Sequence, residues 1–150
     1  MPSSTTALVS IKSRRISRIK HNLIFPLLCM VPLSVSAAPS EAEMIFSKEV
    51  IACASYYQIS SDVIATMNLP QMKTVGERLK SSSTKAVSIA EQYQAKEDVA
   101  AMLSKVQQQQ LASLPDNKNL RDLMGKYQDS CKTLLAEPQK RLDYWIMASM

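Results

Sequence analysis

Cysteine is the residue type in this sequence whose chemistry has the widest range. Cys53 opens the stretch CASYYQIS, residues 53–60, which includes two adjacent tyrosines, and Cys131 follows 78 positions later. Cys53 is either a reactive thiol beside two phenols or one half of a structural bridge. Disulfides form and persist in oxidising compartments, so the choice depends first on where the chain is delivered.

The N-terminus has the pattern of a secretory signal peptide, which we assign to residues 1–37. Five cationic side chains and no acidic one lie in residues 1–22, and the apolar run LIFPLLCMVPLSVSAA follows at 23–38. Residues 35–37, VSA, satisfy the small-x-small rule and predict cleavage before Ala38. The alternative is an uncleaved anchor, but the run is short for a membrane span. We therefore expect a periplasmic or secreted protein that meets the membrane only during export.

Removal of this segment changes the charge of the chain. The complete sequence carries a formal charge of +5, and all five excess charges lie in residues 1–37. From Ala38 onward, 13 Lys and Arg side chains balance 13 Asp and Glu side chains. A neutral chain with interspersed charges has no basic patch with which to displace counterions from phosphates. The sequence therefore argues against nucleic-acid binding.

Two cysteines remain in the predicted mature chain, and we predict that Cys53 and Cys131 form a disulfide. An even cysteine count after a signal peptide favours a bridge. A reactive thiol needs a nearby base or cation, but the only histidine, His21, belongs to the predicted signal peptide, and there is no Cys-x-x-Cys motif. The bridge would close a loop of 79 residues, a constraint of about 4.5 kcal/mol in the chain-entropy treatment.

Other catalytic and metal-binding motifs are missing from the sequence. After residue 37 there is no histidine for a zinc or copper site, and there is no Gly-rich phosphate loop. The adjacent acidic pair Glu97-Asp98 is expected to face solvent, and the seven methionines after residue 37 are expected to fill gaps in the core. We therefore predict no catalytic residue, no metal and no cofactor.

The periodicity of residues 38–150 predicts an all-α fold, a small antiparallel bundle of four to five helices in a single domain. There are only two glycines, and prolines at 39, 70, 115 and 138 bound the periodic segments. Ser40 and Glu43 form a capping-box pattern at the start of the first helix. Whether that helix breaks at 60–62, SSD, stays open.

Each predicted helix has an apolar stripe at steps of three and four residues. The stripes are Phe46, Val50, Cys53, Tyr57 and Ile64 in the first helix; Met72, Val75, Leu79, Ser82, Ala86, Ile89 and Tyr93 in the second; Val99, Met102, Leu103, Val106 and Leu111 in the third; and Leu120, Leu123, Met124, Tyr127, Cys131 and Leu134 in the fourth. The small members Ser82 and Ala86 should allow close helix approach.

Three details of the helices follow from local sequence. Residues 70–114 form one long helix or two, because QAKED at 94–98 contains neither Gly nor Pro. The glutamines at 107–110 are expected on a solvated face. The loop PDNKN at 115–119 offers Asn119 as the cap of the fourth helix.

The order of cysteine and tyrosine predicts how the first and fourth helices meet. Tyr57 follows Cys53 by four residues, whereas Tyr127 precedes Cys131 by four, so each pair shares a helix face. This order is typical of antiparallel neighbours joined at the cysteines. We expect the tyrosines at opposite ends of the bridge.

The C-terminal segment RLDYWIMASM, residues 141–150, is the strongest candidate for a partner surface. It contains Tyr144, Trp145 and Met147, residue types that are enriched at interface cores. One interpretation is that the segment packs on the bundle, with Leu142, Trp145 and Ile146 on one side and Trp145 completing the core near the bridge. In the other, Tyr144 and Met147 stay exposed and contact another envelope protein or a second copy of this chain.

These observations favour an exported, non-enzymatic helical protein that acts through protein–protein binding. Examples of the class are a subunit of an envelope assembly, an inhibitor and a small chaperone. The alternative is an exported enzyme with an unrecognised active site. The chain resembles small disulfide-linked helical proteins of the bacterial periplasm in general architecture, a similarity that says little about function.

The exported protein is expected to begin at Ala38, because the basic run, the apolar run and the VSA sequence end there. N-terminal sequencing of protein from the envelope fraction checks this. A protein that starts at Met1, or that carries a lipid on Cys29, would contradict the periplasmic assignment.

Overall fold

The structure, a computed structural model, describes residues 38–114 and 120–150. These residues belong to one compact unit and form five α-helices and one short 3-10 turn, with no strand among them. The elements are α1 (Glu41–Thr66), the turn Pro70–Met72, α2 (Lys73–Ala90), α3 (Lys96–Ala112), α4 (Arg121–Ala136) and α5 (Pro138–Ala148). The predicted helical fold is confirmed, with five helices. The predicted signal peptide and the Asn119 cap lie outside the described residues.

The first helix begins where the capping-box pattern predicts. The Ser40 backbone N–H donates to the Glu43 carboxylate (2.6 Å), and the Glu43 backbone N–H donates to the Ser40 hydroxyl (3.3 Å). These two bonds satisfy N–H groups that a helix start leaves without a partner. The helix then continues through residues 60–62 without a break. Ser60 and Ser61 are buried there, and the Ser61 hydroxyl contacts α2.

The core surrounds α1 on every side. Five consecutive residues, 53–57, are all buried, and so are Ile51 and Ile59. Consecutive buried residues point in all directions around a helix, so no single apolar stripe describes this one. The predicted stripe is buried at Phe46, Val50, Cys53 and Tyr57 and partly buried at Ile64, so it is correct but too narrow. The other four helices all pack against α1, which makes it the central element.

Small residues bring α2 close to α1. Gly76, Ser83, Ala86 and Ala90 are the buried positions that α2 presents along its length, together with Ile89. The Ser83 hydroxyl donates to the carbonyl of Ala54 in α1 (2.9 Å), an interaction of a side chain with the backbone of the other helix. The predicted close approach is therefore present at Ala86, but the serine that takes part in it is Ser83 and not Ser82.

A reciprocal serine contact lies further along the same helix pair. The Ser61 hydroxyl of α1 donates to the carbonyl of Gly76 in α2 (3.0 Å). A Cβ atom at Gly76 would lie 3.4 Å from the Ile64 side chain and 3.9 Å from the Ser61 carbonyl oxygen. The glycine therefore keeps a side chain out of the contact, so that a serine of one helix reaches the backbone of the other.

Residues 70–114 form two helices and not one, which answers the question left open by the sequence. α2 ends at Ala90, and Ala95 is extended before α3 begins at Lys96. The intervening turn is held by the edge-to-face contact of Tyr93 with Phe46 of α1, whose ring centroids are 5.5 Å apart. Because the chain turns here without Gly or Pro, α3 can cover a second side of α1.

One of the four glutamines at 107–110 is buried in the core, so the expectation of a fully solvated face is wrong for Gln110. Its side-chain oxygen accepts from the Ser55 hydroxyl (2.8 Å), and its amide nitrogen donates to the carbonyl of Ala52 (3.0 Å). Both partners belong to α1. The oxygen and the nitrogen of the buried amide therefore each have a hydrogen-bond partner, as burial of a polar group requires.

The predicted disulfide joins Cys53 of α1 to Cys131 of α4, with an S–S distance of 2.01 Å and Cα atoms 5.4 Å apart. The expectation about the tyrosines is wrong. Tyr127 stacks on Tyr56 (ring centroids 5.9 Å apart), and Tyr56 contacts Tyr57 (5.0 Å), so the rings form one cluster. The tyrosines of the two helices therefore lie together and not at opposite ends of the bridge.

Replacing both cysteines by alanine should lower the free energy of unfolding by about 2–4 kcal/mol, because the unfolded chain loses its cross-link. For a domain of this size the melting temperature should fall by on the order of 10 °C. Alanine is the suitable replacement since Cys53 and Cys131 are both buried, where a serine hydroxyl would lack a partner. Thermal unfolding followed by circular dichroism measures the change. Peptide mapping that finds both native thiols free would contradict the bridge.

Candidate functional site

An open groove of about 1180 Å³ is lined by residues of α1, α2 and α4. Its floor comes from the second half of α1, one wall from α2 and the turn before it, and the other wall from α4. The lining residues are Tyr56, Tyr57, Ser60, Val63, Ile64, Met67, Met72, Val75, Arg78, Leu79, Ser82, Leu120, Arg121, Met124, Gly125, Gln128 and Lys132.

One end of the floor is aromatic and lies close to the disulfide. Tyr56 and Tyr57 are both buried, and each follows Cys53 within about one helical turn. Burial raises the pKa of both phenols, and the neighbouring Tyr56 raises the pKa of Tyr57 further. Both phenols are therefore neutral at physiological pH. Their rings are tilted by 47° to each other and contribute aromatic surface to the groove.

The other end of the groove is rich in methionine. Met67 at the end of α1 is 51% exposed and Met124 of α4 is 41% exposed, and Met72 of the 3-10 turn lines the groove with them. Large apolar side chains exposed together mark a binding surface more often than isolated ones do. Methionine side chains adapt to varied partners because they are flexible and polarisable. The expectation that the methionines fill the core is wrong for Met67 and Met124, and also for Met147 and Met150, which are exposed outside the groove.

The charged residues that line the groove all carry the same sign. Arg78 belongs to the α2 wall, and Arg121 and Lys132 belong to the α4 wall. None of the lining residues among 38–114 and 120–150 is acidic. Asp129 is close enough to Tyr56 to raise the pKa of that phenol but does not line the groove. The groove is therefore apolar inside with cations on both walls.

The sequence pattern identified several of these residues but assigned them to helix packing, not to a groove. Met72, Val75, Leu79 and Ser82, from the first half of the predicted seam of the second helix, line the groove, and Leu79 also packs partly against the core. Ala86 and Ile89 of the same seam are buried as expected, and the buried face of α2 continues toward its start through Ser83 and Gly76. The seven-residue spacing of Gly76, Ser83 and Ala90 was the available signal for the packed face.

The C-terminal helix is fixed to α1 by one carboxylate. The Arg141 guanidinium donates two hydrogen bonds to Glu49, at 2.6 and 2.7 Å, and the Trp145 indole N–H donates to the same carboxylate (2.9 Å). Partial burial raises the pKa of Glu49, but these bonds and the charge of Arg141 outweigh it and hold the pKa below its ordinary value of 4.5. Leu142 is buried beneath the helix, whereas Ile146 is 41% exposed.

The structure separates the three residues that the sequence proposes for partner binding. Trp145 is partly buried against the core and bound to Glu49, so it helps to dock the helix. Tyr144 is 49% exposed and Met147 is 68% exposed. The Arg141 guanidinium lies over the Tyr144 ring, 4.7 Å from its centroid. Tyr144 and Met147 stay candidates for contact with a partner, on a face distinct from the groove.

The described residues hold no cluster of three or more histidine, cysteine or acidic side chains that could bind a metal ion. Within the same part of the chain, no helix is long and apolar enough to cross a membrane. Comparison with protein family models, with curated proteins and with solved structures found no match to this chain. The function must therefore be inferred from the geometry of this molecule alone.

Acidification should loosen α5, because the Glu49 carboxylate must be charged to bind Arg141. A carboxyl whose pKa is lowered by folding stabilises the fold above pH 4.5, its unfolded value, and this stability is lost as the pH falls through the lower folded pKa. At neutral pH, Glu49→Gln should cost about 1 kcal/mol, since the pair is partly exposed. The fluorescence of Trp145, the only tryptophan, reports the change.

Asp143→Asn is the matched control for this measurement. It also removes one negative charge, in this case from α5, and Asp143 bonds only to the neighbouring Gln139 in the described structure. The Asp143→Asn variant should keep the acid-dependent fluorescence change of the wild type. An acid transition that persists unchanged in the Glu49→Gln variant would show that Glu49 does not control the docking of α5.

Proposed function

We propose that this protein is an exported, non-enzymatic binding protein that holds an apolar segment of another protein in the groove between α1, α2 and α4. The observation that carries the proposal is the groove itself, an open apolar surface with exposed methionines and no acidic lining residue in the described chain. Its volume exceeds the range of about 300–1000 Å³ that is usual for small-molecule sites. An open groove of this size fits a polypeptide better.

Export is supported by the disulfide, because such bridges are maintained outside reducing compartments. The signal peptide at residues 1–37 and cleavage before Ala38 are part of the proposal. From Ala38 onward, acidic and basic side chains are equal in number. This balance supports a protein partner over a nucleic acid, whose phosphates attract an excess of cations.

The antiparallel arrangement of the bundle is also part of the proposal. Later residues of α1 contact earlier residues of its partners: Ser61 bonds to Gly76 while Ala54 bonds to Ser83. On the α4 side, the disulfide joins Cys53 to Cys131 while Tyr56 stacks on the earlier residue Tyr127. Two helices that run opposite to α1 would form the two walls of one groove.

The alternative class, an exported enzyme, has less support from the residues that line the groove. Both phenols have raised pKa values and hold their protons at neutral pH, so neither is a ready base. Both cysteines of the described chain are joined in the bridge. The hydroxyl of Ser60 has no carboxylate or imidazole among the described lining residues to activate it.

A photo-crosslinking amino acid at Met124 should capture a discrete partner polypeptide in the compartment to which the protein is exported. Met147 tests the α5 face in the same experiment, and Gln108, which is exposed on α3 and lines neither surface, is the control position. Mass spectrometry of the adducts identifies the partner. Adducts from position 147 alone would move the partner site to α5, and an adduct of the chain with itself would indicate a homo-oligomer.

Gly125 allows the groove to be blocked without altering the core. A Cβ atom built at Gly125 meets no other atom within 4 Å, so a larger side chain can extend from α4 there. Gly125→Phe should abolish the adducts at position 124, whereas Gly125→Ala, which favours the helix by roughly 1 kcal/mol, should keep them. If no position yields a protein adduct, or if the Gly125→Phe variant crosslinks like the wild type, the proposed function is wrong.

A further inference from the structure

We propose that the segment held in the groove is an amphipathic α-helix of about three turns whose apolar stripe is flanked by acidic side chains. This inference rests on the proposed function and deepens it, because it names the structure and the charge of the partner segment. Three observations carry it: the length of the groove, the state of the backbone around it, and the positions of its cations.

The groove has the length of a short helix. Its floor runs along α1 from Tyr56 to Met67, and its α4 wall runs from Arg121 to Lys132. Each stretch covers eleven residue steps, or roughly 16 Å at the rise of an α-helix. A partner helix of about 11 residues has the same length and would present an apolar stripe of three turns to the floor.

The walls and floor make a helix the suitable conformation for the partner. All three long lining elements are α-helices, whose backbone groups are bonded within themselves, and the described chain has no strand that could pair with an extended peptide. An extended segment in this groove would therefore bury backbone N–H and C=O groups without partners. A helix satisfies its own backbone groups and places side chains at i, i+3, i+4 and i+7 against an apolar groove.

The cations are distributed in a way that selects a chain with several carboxylates. Arg78 lies on the α2 wall and Lys132 lies on the α4 wall, with the apolar floor between them. A fatty acid or another single-headed amphiphile would be matched by cations gathered at one end. Cations on both sides of the floor instead complement acidic residues along both edges of a helix.

Two synthetic peptides test the proposal against the oxidised, exported protein. Both are helices of about 14 residues with the same leucine stripe, and they differ only in flanking residues, glutamate in one and lysine in the other. Fluorescence anisotropy at low salt should show the glutamate peptide binding roughly tenfold more tightly. The difference should shrink as salt is added, because exposed charges are screened.

Charge reversal in the walls should remove this preference. Arg78→Glu combined with Lys132→Glu should make the two peptides bind equally or favour the lysine peptide. The control is Lys48→Glu combined with Lys96→Glu, which changes the net charge by the same amount at exposed positions that do not line the groove. The control should keep the preference of the wild type, and circular dichroism should show that all variants are folded.

Each other result overturns the inference in a distinguishable way. If both peptides bind equally and Gly125→Phe blocks both, the groove binds polypeptides without charge selection, so the proposed function stands and the acidic partner does not. If neither peptide binds while Met124 still crosslinks to a protein, the partner segment is not an amphipathic helix. If palmitate or anionic vesicles displace the glutamate peptide from the wild type but not from the Gly125→Phe variant, the occupant is a lipid.

Discussion

The need to cover one apolar helix on all sides determines the rest of this structure. Residues 53–57 of α1 are buried in succession, so every side of the helix needs a neighbour at that level. Four shorter helices supply the cover, and each makes at least one specific polar contact with α1 or a covalent bond to it. Ser83, Gln110, Cys131 and Arg141 are the residues of α2, α3, α4 and α5 that make these contacts. The cover is incomplete from residue 62 onward, and the groove opens there.

The polar contacts of the core also decide which residues face the groove. Ser83 and Gly76 bring α2 against α1 through backbone carbonyls, and this orientation leaves Val75 and Leu79 lining the groove. Lys85 extends this arrangement to α4, because its ammonium group donates to the carbonyl of Leu135 (2.8 Å) near the end of that helix. A cation at a helix C-terminus bonds carbonyl groups that the helix leaves free. The two walls are thus joined near the C-terminal ends of α2 and α4.

Local sequence signals were sufficient to predict the helices and the bridge, because caps, prolines and cysteine pairing depend on neighbours or on compartment. Ser40 with Glu43 and the Glu137-Pro138 boundary are examples. The groove could not be predicted, because a three-and-four periodicity shows which residues share a face but not what covers that face. The position of Gln110 could be predicted only in part. It continues the spacing of Val99, Leu103 and Val106, but its partners are more than fifty residues away in the chain.

The two ends of the groove differ in their residues, and this difference would suit the proposed role of the groove, in which it binds a partner helix and adapts to its side chains. At one end, the disulfide holds α4 to α1 and the tyrosine cluster lies directly beside it, so the wall cannot move without disturbing stacked rings. At the other end, Met67 and Met124 present flexible side chains from the end of α1 and the first turns of α4. A rigid aromatic end limits the entropy lost on binding, while the methionine end can repack around side chains of different shape. The constraint that covers α1 therefore also leaves a groove with one fixed and one adaptable end.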